Sequence, residues 1–191
     1  MYRFKKAETQ AELDQVFRLN HDVFAGELGQ YEEQSERRLV DKFHCKNLYV
    51  IAMAEDRLVG MLSAHDQPPF SVAARLPDPA ALDSWGRLTE VRLLAIHPDH
   101  RSGMVLTGLL LHLYEYIREY DAVAISGYVE QATVYHKLGF HDLGPPVRSG
   151  EADYIPMAAT VAELERRARV WKRRMQRAGY WLAPPLNDPE P

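Results

Sequence analysis

Runs of apolar residues predict a series of β-strands along the chain. Residues 48–54 and 58–64 are apolar and rich in β-branched side chains, and the polar break at 55–57 predicts that they form a hairpin. Residues 88–96 form a third such run, which Pro98 ends. Shorter runs of the same kind predict further strands at residues 2–6, 122–126, 140–143 and 152–157.

Four other segments show the three-to-four-residue spacing of apolar side chains that is typical of helices. The first, residues 10–24, follows Thr9, and Thr9 and Glu12 have the spacing of a capping box. Gly139 follows the third helix and suits the left-handed conformation that often ends a helix. The remaining helices are predicted at residues 103–120, 130–138 and 160–178.

Two long segments, residues 27–47 and 66–86, show neither pattern. The first is polar and acidic, and the second holds four prolines and predicts irregular structure with one helical turn near residues 79–83. A strand–helix–strand succession predicts a right-handed parallel crossover, whereas the hairpin predicts antiparallel pairing. The order of elements therefore predicts a mixed α/β sheet in one domain.

The composition is that of a globular protein. Of 191 residues, 46% are hydrophobic and 26% are charged, which argues against a disordered or fibrous chain. No apolar run approaches the roughly 18 residues of a membrane span. The N-terminus also lacks the features of a secretory signal. The single Cys45 has no partner for an internal disulfide, so we expect a cytoplasmic protein in which Cys45 is a small buried residue.

The net charge of −4 conceals an asymmetry between two parts of the chain. Residues 160–180 carry seven basic and two acidic side chains, whereas residues 1–159 have a net charge of −7. We expect the basic helix to be solvated and docked on its own domain through Trp171. Docking of an acidic protein partner is a second interpretation. Nucleic-acid binding is a third, which the acidic body and the lack of a reading motif disfavour.

Two segments carry candidate chemistry. Residues 89–110 run from a strand through His97 and a short turn directly into a helix, whose first N–H groups form an anion site beside Arg101. Residues 132–140 place Tyr135 in the middle of a short helix that ends in Gly-Phe. The simpler interpretations are that Arg101 caps a helix and that Tyr135 is a core residue with a satisfied hydroxyl.

Together these segments resemble the GNAT superfamily of acyltransferases over residues 2–158. In that family a strand–loop–helix with the pattern Arg/Gln-x-x-Gly-x-Gly/Ala holds a pyrophosphate, and a later segment supplies a catalytic tyrosine. The resemblance implies a GNAT-like domain at residues 1–158, followed by a basic helix at 159–180 and a flexible tail at 181–191. The implied fold is a mixed, mostly antiparallel sheet with a central splayed parallel pair flanked by helices.

The resemblance also implies a thioester donor in the gap where strand 88–97 splays from strand 122–128. Backbone N–H groups near Leu94, Ala95 and Ile96 would hold its pantetheine arm. The residues implied in binding its phosphates are Arg101, Ser102, Gly103, Met104, Val105 and Leu106. Tyr135 would protonate the departing thiolate, whose pKa near 8.5 lies below that of tyrosine.

Glu90 is the candidate base. We expect it to face a cleft otherwise built from apolar residues, where burial would raise its pKa and let it deprotonate an ammonium acceptor. His65 is an alternative base, and a structural ion pair between Glu90 and Arg92 or another arginine is the rival interpretation. No metal is expected, because the histidines of the turn 97–100 have no third ligand in view.

The phosphate loop departs from the family pattern. Counting from Arg101, the two glycine positions hold Met104 and Leu106, and glycine there lets a pyrophosphate approach the backbone. A narrower resemblance, through residues 17–29, Asp41 and residues 90–95, is to the acyl-homoserine-lactone synthases and the long-chain N-acyl amino acid synthases, which often take acyl groups from acyl carrier protein. Both features favour a carrier-protein donor over coenzyme A.

The sequence therefore predicts an N-acyltransferase that moves an acyl group from acyl carrier protein or acyl-CoA to a primary amine of a small molecule, without a covalent enzyme intermediate. One alternative is a non-catalytic GNAT-like binding module. Another is acetyl transfer from acetyl-CoA to a protein N-terminus or lysine. The expected partners are the small amine and the carrier protein, with no nucleic acid and no membrane, and the expected state is a monomer or homodimer.

Overall fold

The computed structural model describes residues 1–101, 103–150 and 152–177. The strands are β1 (Tyr2–Lys6), β2 (Leu48–Ala54), β3 (Arg57–His65), β4 (Leu88–Ile96), β5 (Ala122–Tyr128), β6 (His141–Asp142), β7 (Val147–Ser149) and β8 (Ala152–Thr160). The α-helices are α1 (Gln10–Asn20), α2 (Gly103–Ile117), α3 (Ala132–Leu138) and α4 (Val161–Arg177). All the predicted strands and helices are present, and β7 is an additional short strand.

The eight strands form one sheet. Its order is β1-β2-β3-β4-β5-β8-β6, and β7 also pairs with β8. The β4–β5 pair is parallel, and every other pairing is antiparallel. The predicted fold class is therefore confirmed, including the central parallel pair.

Side chains alternate between the two faces of the sheet, and each face is covered differently. On one side, which we call the helical face, residues of β2, β5 and β8 form one core with Val105, Leu109 and Leu113 of α2. On the other side, the loop face, Val16 and Phe17 of α1 pack on β2 and β3. The segment 66–86 covers the rest of the loop face with two short 3-10 helices, Val72–Arg75 and Pro79–Trp85.

The first helix begins as predicted and ends differently. The Thr9 hydroxyl accepts from the Glu12 N–H at 3.2 Å, and the Glu12 carboxylate accepts from the Thr9 N–H at 3.2 Å, which completes the capping box. After Asn20 the chain continues as a π-helical segment, His21–Glu27, in place of the predicted α-helix to residue 24. Such segments are frequent near functional sites.

The basic helix α4 follows β8 without a linker. Thr160 and Glu163 form a second capping box at its start. Ala168 of α4 is buried in the core of the helical face, and Leu164 packs against that core. The predicted anchor Trp171 has a side chain that lies outside the described part of the structure.

Across the described ranges, we find no helix long and apolar enough to cross a membrane.

Candidate active site

The two parallel strands separate soon after they meet. β4 and β5 pair only from Leu88–Glu90 to Ala122–Ala124. Beyond Glu90, β4 remains paired with β3, whereas β5 remains paired with β8 as far as Tyr128. The result is a wedge-shaped cleft between the strands, in the place the sequence predicts.

A β-bulge lies on the β4 side of this cleft. Ser63 of β3 pairs with Arg92 and Met61 pairs with Ala95, so that Leu93 and Leu94 together oppose Leu62. Leu93 has φ of 53°, a left-handed conformation that is costly for a residue with a bulky side chain. A bulge leaves its extra residue outside the ladder, which makes the backbone polar groups at this point candidates for binding a ligand.

The three predicted pantetheine-binding residues have different surroundings. Leu94 has an exposed side chain that lines the cleft. Ala95 is completely buried and packs in the core under α1, and Ile96 packs on the core of the helical face. The side chains of Ala95 and Ile96 are already committed to packing, so the prediction for these two residues can hold only for their backbone groups.

A cavity of about 120 Å³ opens from the cleft toward the helical face. Its walls are mostly hydrocarbon, and cavities of this kind stay dry unless an apolar group fills them. The residues that line it include Val91 and Leu94 of β4, Ile125 and Ser126 of β5, Leu113 and Tyr114 of α2, and Leu164 and Ala168 of α4. The C-terminal helix is thus one wall of this cavity.

Tyr135 also lines this cavity. Helix α3 begins just after β5 and ends at Gly139, whose φ of 103° gives the predicted left-handed cap. The Tyr135 ring lies so close to Gly127 that a Cβ there would stand 2.8 Å from ring carbon Cδ2. Burial raises the pKa of Tyr135, although a hydrogen bond with the backbone of Tyr128 opposes the shift. The phenol therefore keeps its proton at neutral pH, as an acid must.

One polar group of the cavity wall has no partner. The Ser126 hydroxyl is buried and has no hydrogen-bond partner within the described part of the chain. Buried hydroxyls are normally hydrogen-bonded, so an unpartnered one on a cleft wall is suited to a ligand. Ser126 was not predicted from the sequence, because a lone serine in an apolar strand carries no motif.

Glu90 is completely buried on the loop face, but its surroundings are polar. Its carboxylate accepts hydrogen bonds from the Ser71 N–H at 2.8 Å, the Ser71 hydroxyl at 2.6 Å and the Val72 N–H at 2.7 Å. His65 Nε2 lies 3.1 Å from the remaining side of the carboxylate. The expectation of an apolar environment was therefore wrong.

The predicted direction of the Glu90 pKa was wrong as well. Burial alone would raise it, but hydrogen bonds from His65 and Ser71, with the positive charge of Arg92, lower the pKa below its ordinary value of 4.5. The carboxylate is thus a weak base whose lone pairs are occupied. The rival interpretation of an ion pair with Arg92 also fails, because Arg92 donates to both oxygens of Asp41, at 2.9 and 2.7 Å.

The alternative base, His65, is equally enclosed. Its Nδ1 lies 3.1 Å from the Gln67 carbonyl oxygen, which can only accept, and its Nε2 faces Glu90. Its ring stacks on Phe70 with centroids 5.6 Å apart. The histidine side chain is fully buried, and it connects Glu90 to the start of segment 66–86.

Arg101 is occupied by an acidic residue from a distant part of the chain. Its Nη1 donates to Glu27 Oε1 at 2.6 Å, its Nη2 bonds the other oxygen, and its Nε donates to the Ile96 carbonyl at 3.1 Å. The hydrogen bonds from Arg101 lower the pKa of Glu27. A donor phosphate at this position would have to displace a carboxylate.

The remaining predicted phosphate-binding residues divide by burial. Gly103 begins α2 with open space around it. Met104 and Leu106 are partly buried, and Val105 is completely buried against Gly60 in the core. The side chain of Val105 is therefore structural, so the prediction for this residue can hold only for its backbone. Ser102 lies outside the described residues.

Cys45 is exposed, so the expectation that it is buried was wrong. In the described ranges, no group of three or more His, Cys, Asp or Glu side chains is arranged to hold a metal ion.

Comparison with known proteins agrees with this geometry. The family model for the acetyltransferase (GNAT) domain matches residues 4–142. A search of curated proteins finds no match.

Several solved structures share the fold. The CoA-dependent acyl-homoserine lactone synthase BjaI, with MTA, superposes with a TM-score of 0.71 and 18% identity over 92% of this chain and 90% of that one. FeeM, an N-acyl amino acid synthase from uncultured soil microbes, gives 0.68 and 17% over 91% and 98%. Escherichia coli ElaA gives 0.59 and 13% over 83% and 99%. The domain match and the splayed parallel pair together establish that this chain belongs to the GNAT family of acyltransferases.

Proposed function

We propose that the protein is an N-acyltransferase that moves an acyl group from a pantetheine thioester to a primary amine of a small molecule. The observation that carries this proposal is the cleft between β4 and β5, which joins an apolar cavity of about 120 Å³ to the buried hydroxyl of Tyr135. A thioester requires both features, because its acyl chain is apolar and its leaving group is a thiolate.

The donor would lie along β4, with its acyl chain in the cavity. The bulge at Leu93 leaves backbone groups that can bind the pantetheine amides, and an N–H aimed at the thioester oxygen would stabilise the negative charge that develops there. One structural neighbour, with a TM-score of 0.65 and 18% identity, is a CoA-dependent acyl-homoserine lactone synthase with SAM and isopentyl-CoA. That neighbour supports a thioester donor in this fold.

The reaction needs no covalent intermediate on the protein. The neutral amine attacks the thioester carbonyl, the new C–N bond forms, and the C–S bond of the tetrahedral intermediate breaks. Tyr135 gives its proton to the thiolate and regains one from the nitrogen through solvent. Its raised pKa suits this role, because the phenol stays protonated until the sulfur departs.

Glu90 takes a different role from the one its sequence position suggests. A carboxylate with three hydrogen bonds, no exposure and a lowered pKa is poorly suited to accept a proton from an ammonium group. We assign it as a positioning residue that fixes segment 66–86 against the loop face, on the acceptor side of the cleft. The ammonium would then lose its proton to water before it enters.

The acyl group can be supplied on coenzyme A or on an acyl carrier protein. The Arg101–Glu27 ion pair and the side chains of Met104 and Leu106 occupy the position at which the GNAT pattern holds a pyrophosphate. An acyl carrier protein presents phosphopantetheine without that pyrophosphate, so this arrangement favours a carrier donor. Calorimetry should show weak coenzyme A binding, and micromolar affinity for coenzyme A would remove this preference.

The proposed function is tested by incubating the protein with acyl-CoA and acyl carrier protein donors of two to ten carbons and a panel of primary amines. Mass spectrometry should detect an amide product together with stoichiometric free thiol. Release of thiol without amide would identify a thioesterase instead. Absence of both with every donor would overturn the proposal.

A further inference from the structure

Arg75 is a cation of the loop face that has no acidic partner in the described part of the chain. It is the last residue of the short helix Val72–Arg75, and the first residue of that helix, together with Ser71, binds Glu90. Its guanidinium Nη1 donates to the Ser71 carbonyl at 3.1 Å, and its Nη2 makes one long contact of 3.4 Å to the Ser149 hydroxyl. Among the described residues, no carboxylate lies within ion-pair distance of it.

The third nitrogen group of Arg75 has an unmet hydrogen bond. Its Nε is buried and finds no acceptor among residues 1–101, 103–150 and 152–177. A partly buried arginine normally satisfies its planar fork with a carboxylate or phosphate, which accepts through two oxygens at once. Arg75 has the positive charge and the donor geometry for such an anion, but the described part of the chain supplies no anion to it.

Arg75 is connected to Tyr135 by a short series of contacts. Its guanidinium carbon lies 4.8 Å from the ring centroid of Tyr154 on β8. Tyr154 pairs in register with Tyr128 on β5, and their ring centroids are 6.2 Å apart. The hydroxyl of Tyr135 in turn bonds the backbone of Tyr128. The cation therefore lies at the loop-face end of the route that leads to the proposed acid.

Arg75 lies on the face of the sheet opposite the cavity proposed for the acyl chain, which favours an interaction with the acceptor and not with the donor. The cavity that would hold the acyl chain lies on the helical face, against α2 and α4. Arg75 belongs to the segment on the loop face, where Ser126 and Tyr128 alternate away from the core of the helical face. Arg75 and Tyr154 therefore lie on the side of the sheet opposite α2 and α4.

We infer that the acceptor is an amine that also carries an anionic group, an amino acid in the simplest case, and that Arg75 binds its carboxylate. The inference rests on the proposed function and narrows its substrate class. An arginine with no carboxylate partner among the described residues repels polyamines and the lysine side chains of basic peptides, and it attracts an anion strongly in a partly buried site. Tyr154 provides the flat surface that keeps the guanidinium in place.

The test compares binding of matched ligands by ligand-observed NMR and calorimetry. The probes are the standard amino acids, their carboxamides, and the amines that lack the carboxylate, with phosphoethanolamine as a separate arm. The protein should bind at least one amino acid about 10- to 100-fold more tightly than its carboxamide, which is the range expected for a charge-assisted hydrogen bond. Tighter binding of phosphoethanolamine than of all amino acids would identify a phosphate as the anion and overturn the assignment to a carboxylate.

Arg75→Gln should abolish the preference, and Arg75→Lys should restore part of it. If Arg75 had a purely structural role, the substitution would lower the affinity for amino acids and for carboxamides equally. The inference requires that the affinity for carboxamides stays constant. In turnover assays Arg75→Gln should raise KM for amino acids about 10- to 100-fold with little change in kcat. Arg118→Gln, which removes the same charge from the exposed surface just after α2, should change nothing.

The two proposals fail in different ways. If simple amines without a carboxylate and amino acids are acylated with equal KM, the inference of an anionic acceptor is overturned, and the proposed acyltransferase function still stands. Arg75-dependent binding of amino acids without an amide product from any donor would overturn the acyltransferase and leave the anion site intact. Failure of every probe to bind wild-type protein would overturn the inference about Arg75.

Discussion

The helical face and the loop face of the cleft are built from the same two strands, yet their chemistry is opposite. Toward α2 and α4, the strands line a cavity mostly with hydrocarbon. On the loop face, β4 presents Glu90 and Arg92 and the neighbouring β3 presents His65, and each of these side chains has polar partners. Alternation of side chains along a strand is enough to separate the proposed place for an acyl chain from the proposed place for a charged acceptor.

The comparison also shows that burial alone does not decide a pKa. Beside the cleft, Glu90 is completely buried and Tyr135 is partly buried. The phenol has a single backbone hydrogen bond and its pKa is raised, whereas hydrogen bonds and a nearby positive charge lower the pKa of the carboxylate. Hydrogen bonds to the charged form outweigh the loss of water for Glu90.

The largest effect is expected for Tyr135→Phe. Without the hydroxyl the thiolate must leave unprotonated, so kcat should fall by about 10²- to 10⁴-fold. Stability should change by only about 1 kcal/mol, since one hydrogen bond to the Tyr128 backbone is lost. The measurement is steady-state kinetics beside a urea unfolding curve.

Tyr120→Phe provides the matched control for this variant. It removes a hydroxyl that donates to Asp66 at 2.8 Å, outside the cleft, and should leave kcat unchanged. Equal losses of kcat in the two variants would show that Tyr135 has no special role.

Glu90→Gln should have the largest effect on stability. The new amide places a donor against the N–H groups of Ser71 or Val72 and removes the charge beside His65, at a cost of about 3 kcal/mol. Urea unfolding measures the loss. Glu115→Gln, at an exposed ion pair on α2, should cost less than about 1 kcal/mol.

The same variant gives a pH test of the loop face. Because the pKa of Glu90 is lower in the folded protein than its ordinary 4.5, its contribution to stability is complete above pH 4.5 and disappears as the pH falls through the folded value. The unfolding free energy of wild type should therefore fall more steeply below pH 4.5 than that of Glu90→Gln. Parallel curves would show that the lowered pKa is wrong.

Gly127→Ala tests the helical face with an intermediate effect. The added Cβ would lie 2.8 Å from the Tyr135 ring and 2.8 Å from the Met157 sulfur, so the ring must move. We expect a loss of about 1–3 kcal/mol in stability and a fall in kcat that follows the displaced hydroxyl. Gly144→Ala, where the nearest atom is 3.4 Å away, should affect neither.

Leu164→Phe should have the smallest effect on activity, and this effect should depend on the length of the acyl chain. The larger side chain enters the cavity from α4 and shortens the space for an acyl chain. Each excluded methylene is worth about 0.8 kcal/mol, so kcat/KM for long donors relative to acetyl donors should fall about fourfold per methylene. Val170→Phe, on the exposed side of the same helix, should leave the chain-length profile unchanged.

Much of the fold could be predicted because its signals are local. The hairpin of β2 and β3, the capping box of Thr9 and Glu12, and the left-handed Gly139 each depend on residues within a few positions of one another. The bulge at Leu93 has no such signal, because it arises from the register between β3 and β4.

The wrong predictions at the site have the same origin. The surroundings of Glu90 are set by Ser71 and Val72, 18 or 19 residues earlier, and Arg101 is occupied by Glu27, which lies 74 residues away. No periodicity in the sequence links these pairs. Burial alone therefore predicts a raised pKa for Glu90, whereas the structure lowers it. Tyr135 could be located because its helix carries a local pattern.

The position of α4 after the last strand has a consequence for how the enzyme is made. The sheet, α2 and α3 are complete by Thr160, yet Leu164 and Ala168 still have to close the cavity. During synthesis the sheet can therefore form before α4 emerges, and the apolar cavity stays open until this helix packs against it. Nascent chains that stop before α4 expose this apolar surface, which favours aggregation, and the folding of the helix covers it.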